Sequence, residues 1–142
     1  MIKLRLKAGS AALAALLAAG VFSPAMAERA PGRLVAAGVV VANATREALA
    51  CTAALAHWNA VALGTAPPGA RLAVALRQDP ATGALYLLNA AGRPMALETL
   101  WCEASGWRTA LPLARRAGAV ADGAVFACRA EGAHGLACRA EP

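Results

Sequence analysis

RLAVALRQDPATGALYLLNAAGRPMALETLWC, residues Arg71 to Cys102, is the clearest piece of architecture in the chain. Leu72, Val74 and Leu76 alternate with Ala73, Ala75 and Arg77, the period-2 pattern of a half-buried strand. Asp79-Pro80-Ala81-Thr82-Gly83 then supplies turn chemistry, because Pro80 fixes φ and Gly83 tolerates φ > 0. A second apolar run, Ala84 to Asn89, leads to another turn signal at Ala91-Gly92-Arg93-Pro94, and a third run ends in Trp101-Cys102. The pattern predicts three successive antiparallel strands, a meander around which the rest of the chain packs. The third run carries a rival reading. Leu97, Leu100, Trp101 and Ala104 would share one helical face, with Pro94 in a first turn and Gly106 at the end.

Upstream, Leu34 to Ala42 is short and β-branched, the composition of a buried strand. Asn43-Ala44-Thr45 turns the chain; it also matches an N-glycosylation acceptor, to which the bacterial character of the sequence gives little weight. Ala48 to Leu63 is ambiguous. Its alanines favour helix, whereas a strand puts Leu49, Cys51, Ala53, Leu55 and His57 on one face. The breaker cluster Gly64-Thr65-Ala66-Pro67-Pro68-Gly69, directly before the Leu72 strand, favours strand. This succession over about residues 34–77 resembles the extracytoplasmic immunoglobulin-like β-sandwich modules. The resemblance implies a small antiparallel sandwich outside the cytoplasm.

Downstream, Pro112 confines any strand within Arg108 to Ala114 to an edge or a bulge. Arg115-Arg116-Ala117-Gly118 is a loop, and Asp122-Gly123 turns the chain into Ala124 to Arg129. Val125 to Ala130 and Leu136 to Arg139 flank Glu131-Gly132-Ala133-His134-Gly135, a loop suited to a hairpin. Folding about Ala133 sets Cys128 opposite Cys138, where opposed cysteines can be bridged. That leaves Cys51 with Cys102. Spacing alone leaves the pairings Cys51–Cys128 and Cys102–Cys138 open.

The N-terminus places these cysteines in an oxidising compartment. Lys3, Arg5 and Lys7 precede an apolar run from Ala8 to Phe22, shorter than a membrane span, and Ala25-Met26-Ala27 forms a small-x-small cleavage site. Residues 1–27 read as a secretory signal peptide cleaved before Glu28, and 28–142 as a single β-rich domain, periplasmic or secreted, with no later membrane span. The whole-chain charge of +6 includes three basic residues of that leader. The remaining basic residues are all Arg, as a GC-rich genome would produce, and they are scattered rather than clustered, which argues against a nucleic-acid partner.

The chemistry is sparse. The sequence has two His, 57 and 134, and no C-x-x-C or H-x-x-x-H pair. A redox or copper-handling site from Cys128, His134 and Cys138, with Met95, is imaginable; the plainer reading makes His134 an exposed loop residue and the cysteines disulfides. Ser105 is the one serine after the leader and lies in Glu103-Ala104-Ser105-Gly106-Trp107, which is not a nucleophile elbow. A small hydrolase built on it is the weaker alternative. Trp58, Trp101 and Trp107 are large side chains in an Ala-rich chain. Trp101, beside Cys102, reads as core, and Trp107, between Gly106 and Arg108, as exposed. The expectation is a non-catalytic, cofactor-free binding or structural module, its partner an envelope protein or a small ligand. Its surface would be Trp107 and Arg108 together with Arg115 and Arg116.

Overall fold

The computed structural model describes residues 31–118 and 122–142. The expected leader and its cleavage point lie outside them. The described residues form strands and turns with no helix, so both ambiguous segments resolve as strand. One sheet runs in the order β1 (Val35–Ala36), β6 (Leu76–Gln78), β7 (Leu85–Leu88), β8 (Pro94–Ala104), β3 (Leu49–Leu55) and β4 (Asn59–Ala66), with β9 (Trp107–Ala110) on the second half of β8. The other runs β11 (Leu136–Ala140), β10 (Ala124–Ala130), β2 (Val39–Asn43) and β5 (Arg71–Val74).

The expected first strand of the meander is two strands. Leu72 and Val74 belong to β5 in one sheet, whereas Leu76 begins β6 in the other. The segment 34–42 divides in the same way, β1 pairing with β6 and β2 with β5. The two halves form one antiparallel ribbon that bends across both sheets, held at the bend by the Ala37 amide donating to the Leu76 carbonyl at 3.0 Å. Gly38 sits at that bend because a Cβ there would lie 3.1 Å from Asp122 Oδ1 and 3.2 Å from the Val74 carbonyl. A strand that switches sheets through a local bend is one way to turn a corner between layers. Alternation continues smoothly through Ala75, so periodicity gave no sign of the break.

The purely antiparallel arrangement needs correction at one place. β10 lies parallel to β2, with Phe126 opposite Val41 and Cys128 opposite Asn43. Parallel neighbours require a long connection, and here most of the other sheet supplies it. The segment 48–63 is also corrected: it is a hairpin, not one strand. Leu49, Cys51, Ala53 and Leu55 do alternate inward and are all buried. Ala56-His57-Trp58 then reverses the chain, with φ of 67° at His57 and 65° at Trp58. No residue of that turn is Gly, Pro, Asn or Asp, the usual punctuation of a hairpin. Gly64 and Thr65 lie inside β4, and the turn proper is Pro67 to Ala70, closed by the Ala70 amide on the Pro67 carbonyl at 2.9 Å.

β8 explains its own helical rival. Leu97 pairs with Leu55 and Thr99 with Ala54, so Glu98 is the extra residue of a β-bulge. Before the bulge Leu97 faces inward; after it Leu100, Cys102 and Ala104 do. The bulge turns a spacing of two into a spacing of three, which imitates a helical face. Arg115 holds it, its guanidinium donating to the Leu97 carbonyl at 2.8 Å and the Glu98 carbonyl at 2.7 Å.

Both preferred disulfides are present. Cys51–Cys102 joins β3 to β8 and Cys128–Cys138 joins β10 to β11, each between directly opposed residues with Cα atoms 4.0 Å apart. That is the close spacing of a non-hydrogen-bonded antiparallel pair. The two bridges also meet. The sulfurs of Cys102, Cys128 and Cys138 lie within 4.8 Å of one another, and all four half-cystines are buried. The two bridges, one in each sheet, thus pack against each other amid a core of Leu, Val and Ala with Phe126 as its buried aromatic. The large aromatics are elsewhere. Trp101 alternates with buried Cys102 and so faces outward, contrary to its reading as core.

Candidate functional site: a groove beside Trp107

Three turns come together at one end of the sheets and leave a groove of about 340 Å³. The Ala44–Glu47 turn supplies one wall, the β8–β9 turn with Ser105 and Trp107 another, and the β10–β11 hairpin the third. Each turn is locally determined. Ser105 and Gly106 both have positive φ, 52° and 77°, in a two-residue connection between Ala104 and Trp107. Consecutive positive φ is the signature of the type I′ turn that suits strand twist. It throws Trp107 to the start of β9, 43% exposed, where its ring meets His134 at a centroid distance of 5.9 Å and 53° between planes.

The first wall is built by a buried asparagine. Asn43 Nδ2 donates to the Glu47 carbonyl at 2.7 Å and the Ala66 carbonyl at 2.8 Å. Its Oδ1 accepts from the Thr45 amide at 2.9 Å and pairs with the Thr45 hydroxyl at 2.7 Å. Both donors and the acceptor are engaged, which is how a buried amide avoids a desolvation penalty. The asparagine of the glycosylation pattern is therefore an interior brace, 2% exposed. The wall so fixed ends in Arg46, across the groove from Arg129 of β10.

The guanidinium groups of Arg46 and Arg129 form no hydrogen bond or ion pair with any described residue. The arginines singled out from sequence behave differently. Arg108 binds Glu103 Oε2 at 3.1 Å and lies 4.9 Å over the Trp101 ring. Arg115 is committed to the bulge carbonyls. The backbone of Arg116 packs against Gly83, and its carbonyl accepts from Gln78 Nε2 at 3.1 Å. The expected surface is also not one patch. Trp107 stands opposite Ala104 at the end of β8, whereas Arg115 binds near its Leu97; at about 3.3 Å per residue the two lie roughly 20 Å apart along the strand. Trp107 keeps its place in the site, Arg108 braces its own strand, and Arg115 and Arg116 belong elsewhere.

The alternative built on Cys128, His134, Cys138 and Met95 is not assembled either. Both cysteines are bridged, His134 rests on Trp107, and Met95 pairs with Leu87 at the opposite end of β8 from Cys102. A thiolate ligand needs an unbridged cysteine. Ser105 lines the groove, in the type I′ turn already described. What sequence reasoning missed are Arg46 and Arg129. Nothing in their local pattern marks them, because the three turns that bring them together are distant in the chain. No family model, no curated protein and no solved structure matches this chain. The site therefore has to be read from its own chemistry.

Proposed function

We infer that this protein is an exported, non-catalytic binding module of the bacterial periplasm, and that its ligand seats in the Trp107 groove. The observation that carries this is the half-exposed Trp107 beside two unpaired guanidinium groups, Arg46 and Arg129, in one concavity. An aromatic face with a few convergent polar groups is the usual makeup of a small-molecule site, and 340 Å³ is at its lower size limit. The fitting ligand is a small anion, a carboxylate or phosphate ester, with a planar or apolar part to lie on the indole. Glu47 partly offsets the two arginines, so a singly charged anion suits the groove better than a highly charged one. Two core disulfides support folding in an oxidising compartment. Among the described residues no helix is long and apolar enough to cross a membrane. The immunoglobulin-like sandwich remains part of this proposal as a scaffold type. Its support is the two facing sheets, although both bridges here link neighbours within a sheet rather than opposite sheets.

The test is calorimetric titration with a panel of aryl carboxylates and sugar phosphates. Binding that vanishes in Trp107→Ala and weakens about tenfold in Arg129→Gln or Arg46→Gln supports the reading. Absence of heat with every anion up to millimolar concentration, or undiminished binding by Trp107→Ala, would sink it.

A further inference from the structure

The β3–β4 hairpin raises a question that the groove does not answer. From Ala48 to Ala70 the chain holds no Arg, Lys, Asp or Glu. β4 is the last strand of its sheet, eight residues long, and Asn59, Ala60, Val61 and Ala62 are all exposed. Native edge strands are normally blunted by charge, proline, or brevity. The other edges here follow that rule. β1 has two residues, β5 carries Arg71, β9 carries Arg108 and β11 carries Arg139. Among the described edges β4 alone is long and uncharged, and its bulge at Leu63 leaves Asn59 to Ala62 regular.

The direction of its backbone groups follows from the disulfide. Because Cys51 and Cys102 form a close, non-hydrogen-bonded pair at 4.0 Å, the Cys51 amide and carbonyl face β4. Thr52 and Ala54, out of phase with Cys51, face β8. Ala62 and Ala60 stand opposite them, so their amides and carbonyls turn away from β3 to the outer edge. They take no backbone hydrogen bond from any other described segment. Leu72 of β5 lies against Gly64, so the open part of the edge is Asn59 to Leu63.

We propose that this edge pairs with the same edge of a second copy, giving a two-fold antiparallel dimer through β4. The charge distribution selects the occupant. In a chain whose basic residues outnumber its acidic ones, the edges β5, β9 and β11 would set arginine near arginine across a two-fold axis and β1 is only two residues long, whereas β4 is long and uncharged. A two-fold axis places Val61 opposite its own copy and Ala60 opposite Ala62 of the second copy, twice over. Each of those pairs exchanges two backbone hydrogen bonds.

Sedimentation velocity on the oxidised protein, purified after expression of the full chain, tests this from low micromolar to several hundred micromolar. A reversible monomer–dimer equilibrium is expected. Val61→Lys sets two like charges on the axis and should raise the dimer dissociation constant at least tenfold. Ala62→Pro removes an outward amide without touching the β3 ladder and should do the same, which keeps the test decisive if the lysine variant folds poorly. Amide exchange at Ala60 and Ala62 should slow as the dimer fills. A monomer at every concentration, or a dimer indifferent to both substitutions, overturns the proposal.

Discussion

Gly83 and Trp58 are opposite cases of a residue in left-handed backbone. At Gly83 φ is 82°, and an added Cβ would lie 2.5 Å from the Arg116 carbonyl carbon. Both conformation and space exclude a side chain, so Gly83→Ala should cost about 3 kcal/mol in urea unfolding, as strain and overpacking combine. Trp58 has φ of 65° with its side chain in solvent. A bulky residue there carries about 1–2 kcal/mol of strain without a compensating contact, so Trp58→Gly should raise stability by roughly 1 kcal/mol. A stabilising loss of tryptophan would mean that the chain keeps Trp58 for something other than its own fold. Asn43 is the third case. Asn43→Ala strands two buried or half-buried carbonyls and frees the Thr45 turn, a loss of about 2–3 kcal/mol. It would also slacken the wall that holds Arg46, so ligand affinity should fall with stability.

At the scale of the element, the inward face of β3 was legible because Leu49, Cys51, Ala53 and Leu55 keep strict alternation. The terminal hairpin was legible too, since its loop is symmetric about Ala133 between Cys128 and Cys138. β8 was harder, as the Glu98 bulge breaks the phase that the eye follows. Arg115 makes that bulge affordable by satisfying both of its carbonyls. Arg115→Ala should therefore destabilise by about 1.5–2 kcal/mol, a charged donor losing two acceptors. Arg108→Ala removes an exposed ion pair and one ring contact, and should cost under about 1 kcal/mol. Chemical denaturation of the two variants side by side checks the order. The reverse order would mean that the Arg108 contacts, not the bulge, steady this sheet.

For the whole molecule, what the sequence could not show is what depends on distant partners. The ribbon bending at Gly38 and Ala75, the parallel contact of β10 with β2, and the lining of one groove by Arg46 and Arg129 all join segments far apart in the chain. Composition sets no such pairing. For the cysteines the sequence favoured the observed pairing through the hairpin that opposes 128 and 138, but spacing left Cys51–Cys128 with Cys102–Cys138 open, a choice that only the registers decide. Replacing both members of a bridge should cost about 4 kcal/mol for the bridge of sequence separation 51 and about 3 kcal/mol for that of separation 10. Thermal unfolding of the two double-alanine variants measures the difference. Because the sulfurs of Cys102, Cys128 and Cys138 crowd within 4.8 Å, the bridges are also not chemically independent. A thiolate released at Cys102 has the Cys128–Cys138 bond as its nearest electrophile. Its attack would form a cross-sheet bond and expel the other sulfur as thiolate, with no outside oxidant. A molecule that has lost one bridge can thus shuttle the vacancy through its centre, placing between the two sheets a disulfide that the intact protein keeps within each of them.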